Sequence, residues 1–129
     1  MKPPPSGKIE GSIAAFDPLN GERKWSVPAR TWIMASVLST AGGLVFTGDP
    51  EGNFFALDAR TGTRLWNFQT GAGHRGSSIS YSIGGRQYIA TPSGWGSLVG
   101  GAHRQLFPTE PPPKPGSALF VFALPEGAK

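Results

Sequence analysis

An eleven-residue pattern occurs twice in this chain, as Ala15-Phe16-Asp17-Pro18-Leu19-Asn20-Gly21-Glu22-Arg23-Lys24-Trp25 and as Ala56-Leu57-Asp58-Ala59-Arg60-Thr61-Gly62-Thr63-Arg64-Leu65-Trp66. Ala, Asp, Gly and Trp hold the same four places in both copies, and the second copy begins 41 residues after the first. A repeat of roughly 40–45 residues is the spacing of β-propeller blades, small antiparallel sheets that bury their faces only by stacking on one another. Propellers normally close with several blades of four strands each. A chain of 129 residues therefore carries part of a ring.

The strand pattern gives the count. Gly11 to Asp17 and Lys24 to Val27 form a hairpin around Pro18-Leu19-Asn20-Gly21, the outer half of a blade. Ser36 to Thr40, Leu44 to Thr47, Asn53 to Asp58 and Leu65 to Gln69 follow as four strands, the second an apolar run suited to burial on both faces. Ser78 to Ser82 and Gln87 to Thr91 alternate with period two around Ile83-Gly84-Gly85-Arg86. Ser117 to Pro125 repeats the apolar run before each motif, with Phe122-Ala123-Leu124 in register with Phe55-Ala56-Leu57. The expectation is half a blade, a whole blade and three strands of another. Residues 93 to 116 are too irregular for a strand, and helical periodicity is absent throughout. The expected fold is all-β, a partial β-propeller of about two to three four-stranded antiparallel blades. Residues 1–10 form a Pro-rich tail, 11–125 the repeat segment and 126–129 a C-terminal tail.

The recurring residues have structural reasons to be there. Burying a large aromatic ring is worth about 1.5–3 kcal/mol or more, and a flat ring needs a low surface, which Ala provides. Gly takes a turn conformation that other residues resist, and the Asp carboxylate accepts turn N–H groups. Recurrence at equal spacing favours a clamp between blades over ligand stacking for Trp25 and Trp66, and turn capping over acid–base catalysis for Asp17 and Asp58.

Composition removes several functions. The net charge is +4, but the 12 Lys and Arg are scattered from Lys2 to Lys129 with no basic stripe of the kind that binds nucleic acid. Without Cys there is no disulfide, no thiolate metal site and no C-x-x-C-H haem attachment. No apolar run reaches the eighteen or so residues of a membrane span, and none of the export-signal type follows Met1. The two histidines, His74 and His103, lie apart in Gly-rich stretches with no carboxylate cluster, which favours loop imidazoles over a metal site. Gly71-Ala72-Gly73-His74-Arg75-Gly76 lacks the Gly-Lys-Ser/Thr ending of a phosphate loop.

The Ala-x-Asp-x-x-x-Gly-x-x-x-Trp pattern resembles the tryptophan-docking motif of the pyrroloquinoline quinone (PQQ) dependent alcohol dehydrogenases, the methanol and ethanol dehydrogenase family. Val37 to Asp49, Trp66 to Gly71, Ser93-Gly94-Trp95-Gly96 and Phe120 to Pro125 resemble that family's C-terminal region in the same order, over residues 11 to 125. The resemblance implies an eight-bladed periplasmic quinoprotein propeller, with PQQ and Ca²⁺ or a lanthanide in its funnel, that oxidises primary alcohols and passes electrons to a cytochrome c. In that family the catalytic Asp, the metal ligands and a vicinal-cysteine disulfide lie in earlier blades. No catalytic residue and no metal ligand is therefore assigned here, and the chain is expected to be inactive alone. Its expected partners are the remaining blades of a parent enzyme, or further copies through exposed blade edges.

The same resemblance assigns Gly94, Trp95 and Gly96 as cofactor-binding, in a loop beside the funnel mouth. The alternative at that loop is a glycine-flanked Trp that simply fills the propeller top. Relatives commonly carry a Trp near the quinone before the Val-Leu-Ser-Thr stretch, where this chain has Met34-Ala35-Ser36 and places Trp32 two residues earlier. The alternative for the whole chain is a non-enzymatic PQQ-like repeat scaffold or interaction protein; such proteins lack the Gly-Trp-Gly loop and usually carry a lipidated Cys, absent here.

Overall fold

The structure, a computed structural model, describes residues 11–95 and 97–126, the side chains of 97–99 excepted. The expected tail 1–10, residues 127–129 of the second tail, and Gly96 lie outside the described residues.

Three antiparallel sheets follow one another along the chain. The first pairs β1 (Gly11–Phe16) with β2 (Arg23–Ala29); the second runs β3 (Leu38–Ser39), β4 (Leu44–Gly48), β5 (Asn53–Asp58) and β6 (Arg64–Gln69) in order; the third runs β7 (Ile79–Ile83), β8 (Arg86–Ser93) and β9 (Ala118–Ala123). Two, four and three strands are the half blade, whole blade and partial blade expected from the sequence.

Period-two alternation in the central sheet explains why its middle strands are buried on both faces. Phe46, Phe54 and Ala56 pack with Ile89 and Leu124 of the third sheet. The intervening Val45, Phe55 and Leu57 pack with Ile13, Trp25 and Val27 of the first. One sheet thus feeds two cores, and a one-residue slip in β5 would exchange them.

The repeated motif builds the same corner twice. Ala15 lies opposite Trp25 and Ala56 opposite Trp66, with a register shift immediately after each Ala. In the first corner, Gly21 N donates to Asp17 O at 2.8 Å and Leu19 N to Asp17 Oδ1 at 2.9 Å. In the second, Gly62 N donates to Asp58 O at 2.8 Å and Arg60 N to Asp58 Oδ1 at 2.8 Å. Both glycines sit in the left-handed region, at φ 73° and 74°. The Asp residues are turn caps.

Two expectations need correction. Ser36 to Thr40 forms a strand only at Leu38–Ser39, because Ser36 is engaged elsewhere: its Oγ accepts the Ser78 N–H at 3.1 Å and its own N donates to Gly76 O at 3.4 Å. The expected absence of helix fails at α1 (Ser97–Leu106). Gly100 and Gly101 cost a helix about 1 kcal/mol each relative to Ala, which hides the segment from a propensity reading. What holds it is tertiary: His103 and Phe107, one turn apart, are both buried against the Trp32 ring, whose centroid lies 5.7 Å from that of Phe107.

Candidate functional site

Because successive strands run in opposite directions, every second connection lies at the same end of the sheets. That end gathers 30–37, the turn 49–52, 70–78 and the long connection 94–117 that contains α1. Contacts tie these segments together. Arg30 from the first connection pairs with Glu51 (3.4 Å) and with Glu110. His74 N donates to Asp49 O at 2.9 Å, and Gly94 N to Gly73 O at 2.9 Å. The hydrogen bond to Glu110, with the charge of Glu51 added, raises the Arg30 pKa above its ordinary value. Asp49 is spent locally, accepting from Asn53 N and Nδ2 at 2.9 Å each.

His74 is the hub of a buried polar chain. Its Nδ1 stands 3.2 Å from Pro92 O, an atom that can only accept. Nε2 lies 3.0 Å from Thr70 Oγ1, which accepts from Ser93 Oγ at 2.8 Å. Burial lowers the His74 pKa, so the neutral tautomer is the resident one. Gly48 makes the room: a Cβ there would stand 2.3 Å from the imidazole ring.

The assigned residues Gly94 and Trp95 belong to this end, while Gly96 lies outside the described residues. Trp95 is 8% exposed and wedged between Gly73 and α1, where a Cβ on Gly73 would stand 2.9 Å and one on Gly100 3.7 Å from the indole. Its edge meets His103, and His103 in turn meets Phe107 and Trp32. Trp32 Nε1, Trp95 Nε1 and His103 Nδ1 are buried with no hydrogen-bond partner among the described residues. Trp32 is thus turned into this aromatic cluster, while Met34 is 40% exposed. Burial lowers the His103 pKa as well.

Beside the cluster a cleft of about 350 Å³ is lined by Arg75, Gly76, Pro92, Ser93, Gly94, Gly116, Ser117 and Ala118. Arg75 is exposed at its rim. Its floor is close-set backbone, since a Cβ on Gly94 would stand 2.3 Å from Gly116 O and one on Gly76 2.4 Å from the Pro92 ring. The sequence put forward Gly94 and Trp95, which lie at this end, and passed over Arg75, Ser93 and the His74 chain. The glycine-flanked Gly71–Gly76 stretch was the available signal, and its chemistry depends on residues 92–94 and 116–117 brought in by the fold. Among the described residues no group of three or more His, Asp or Glu could hold a metal ion.

Antiparallel sheets stacked face to face, each corner Trp opposite an Ala and the Trp25 ring set on the glycine of the next corner, define a segment of a β-propeller. Residues 26–89 match the family described as the PQQ glucose/ethanol/alcohol dehydrogenase β-propeller domain. The quinoprotein alcohol dehydrogenase PedH of Pseudomonas putida is 43% identical over 89 residues, covering 69% of this chain and 15% of that protein. Two solved structures superpose closely. The quinohemoprotein alcohol dehydrogenase of Comamonas testosteroni gives a TM-score of 0.74 at 30% identity, over 93% of this chain and 17% of that one. A europium-containing methanol dehydrogenase gives 0.75 at 32% identity, over 88% and 23%. The chain belongs to the quinoprotein alcohol dehydrogenase family and spans less than a quarter of the length of these relatives.

Proposed function

We propose that this chain supplies C-terminal blades and one wall of the cofactor funnel to a periplasmic PQQ-dependent alcohol dehydrogenase, and that it does not turn over alcohol alone. The observation that carries the reading is the pair of half-made joints. Trp25 is seated on Gly62, whereas no described residue comes within 4 Å of a Cβ on Gly21 and Trp66 is 38% exposed. Gly21 would receive a ring from a preceding blade, and Trp66 would be covered by the strand that completes the partial third sheet, so the remaining parts of the ring are the natural partner. A cytochrome c would be the electron acceptor of the assembled enzyme.

The residues at the cleft suit PQQ, a planar quinone bearing carboxylates. Arg75 offers a guanidinium and Ser117 a hydroxyl, while the Ser93 hydroxyl, already bonded to Thr70 Oγ1 and Ala72 O, stiffens the wall. When bound, the quinone takes up the reducing equivalents of the alcohol. Gly94 would meet the group through its backbone, and Trp95, held by Gly73 and α1, would stiffen that wall and exclude water. Gly96 is proposed for the same loop. The Ca²⁺ or lanthanide that accompanies the quinone would be held by residues outside this chain, as would the catalytic base.

The test is a chimera in which this chain replaces the matched segment of the P. putida relative. Dye reduction with ethanol, dependent on PQQ and metal, is the expected result, with none from the chain alone. A well-folded chimera without activity overturns the funnel role; turnover by the isolated chain overturns its inactivity.

A further inference from the structure

Arg75 stands at the junction of two features that the sequence shows only separately. It follows His74 directly, so its backbone is anchored by the buried His74–Thr70–Ser93 chain, and it lines the same cleft as Ser93 and Gly94. Ser93 is 2% exposed, and its Oγ is set by Thr70 Oγ1 at 2.8 Å and Ala72 O at 3.0 Å. The rim residue therefore rests on a wall with little freedom, while its guanidinium has no ion pair or hydrogen bond among the described residues. The contrast with Arg30, held by Glu51 and Glu110 at the same end, is direct. Among the described residues no Asp or Glu lines the cleft.

We infer that this cleft is a carboxylate-binding site in which Arg75 is the anchoring charge. A carboxylate matches the planar fork of a guanidinium, and the resulting charge-assisted bonds are stronger than neutral ones. Gly76, Gly94 and Gly116 let the segments under the cleft pack closely, since a Cβ on each would collide with Pro92, Gly116 or Ala72, so the anion meets Arg75 and the Ser117 hydroxyl over a firm wall. The inference rests on the proposed funnel role and deepens it: the carboxylate is either one of those on the quinone or that of a hydroxy-acid substrate.

Isotope-labelled full chain, titrated and followed by amide NMR shifts, separates these sources and detects weak binding. The probes are PQQ, its trimethyl ester, glycolate and uncharged ethylene glycol. Shifts at Gly76, Gly94 and Ser117 are expected with at least one of the two acids. Arg75→Gln should weaken that binding about tenfold, Arg75→Lys should weaken it less, and the ester and the diol should be indifferent to either change. Dependence on Arg75 for PQQ alone assigns the quinone carboxylate; dependence for glycolate assigns the substrate. The inference is overturned if neither acid shifts these amides, or if both bind Arg75→Gln as tightly as the unchanged chain. Arg75 is exposed, and retained spectral dispersion in the variant shows that it folds. A chimera that stays active while its Arg75→Gln form binds both acids normally would leave the funnel role standing and remove only this assignment.

Discussion

The two Trp corners share a residue pattern, a turn, a bulge and a cross-strand Ala, yet only one of them does the work of a joint. Trp25 reaches across to the second sheet, where its Nε1 donates to Ala59 O at 2.9 Å and its ring lies under Gly62, 2.7 Å from where a Cβ would be. Trp66 packs edge-on to Phe122 at 5.0 Å and meets Phe54 and Phe68 of its own sheet, yet it stays 38% exposed above an apolar groove of about 640 Å³. In a repeat architecture, then, the stabilising contact belongs to the interface between units and not to the unit that carries the residue. The groove around Trp66 runs between the second and third sheets, with Leu44, Phe46 and Ala56 on one side and Val121 and Phe122 on the other, and it stands open beside β9, the edge strand of the three-stranded third sheet.

Substitution should expose this difference most strongly at the rings themselves. Trp25→Ala removes a seated aromatic and a cross-sheet hydrogen bond and should cost about 3 kcal/mol, read as a lowered urea midpoint. Trp66→Ala should cost about 1 kcal/mol, since much of its ring already meets water. Equal costs would break the comparison. In the chimera, where the partial third blade is completed, the cost of Trp66→Ala should rise toward that of Trp25→Ala.

The glycines test the same joint from the opposite side, with a smaller effect. Gly62→Ala combines a left-handed φ with a collision against Trp25 and should cost about 2 kcal/mol or more, whereas Gly21→Ala carries only the conformational cost, about 1 kcal/mol. Because the two φ values differ by only a degree, any difference in thermal midpoint reports the Trp contact.

The smallest effect concerns pH. Burial lowers His74 and His103 below the ordinary value of 6.5 in the folded chain. As pH falls through 6.5 the unfolded chain takes up protons that the folded one refuses, so stability should be level above about pH 7 and decline toward pH 5. Two other charged groups bear on these rings: Asp49 near His74 and Glu110 near His103, each opposing the shift. Replacing either His by Asn should reduce the slope between pH 7 and pH 5 in urea denaturation, whatever it does to the stability at pH 7. An unchanged slope in both variants would show that neither imidazole is kept neutral.

Much of the fold was legible in order along the chain, because the signals are local. Alternation of apolar residues set the strands, Asp and Gly set the corners, and the 41-residue period set the blades. The same local reading failed at α1. Gly100 and Gly101 argue against a helix, and His103 counts as polar until the fold surrounds it with Trp32, Trp95 and Phe107. Of the residues at the candidate site, Gly94 and Trp95 were put forward from their stretch of sequence alone. Arg75 was not, since its meaning comes from Ser93, Gly116 and Ser117, which lie 18 to 42 positions away.

By itself, then, the sequence determined the repeat, the strand count and the family, all of which depend on spacing within one stretch of chain. Tertiary structure decided which Trp is seated, that a glycine-rich connection becomes a helix, and that an exposed arginine overlooks a cleft with a buried hydroxyl in its wall. The physical reason is that burial and hydrogen-bond partnership are properties of neighbours in space, and at this end of the sheets those neighbours come from four separate connections.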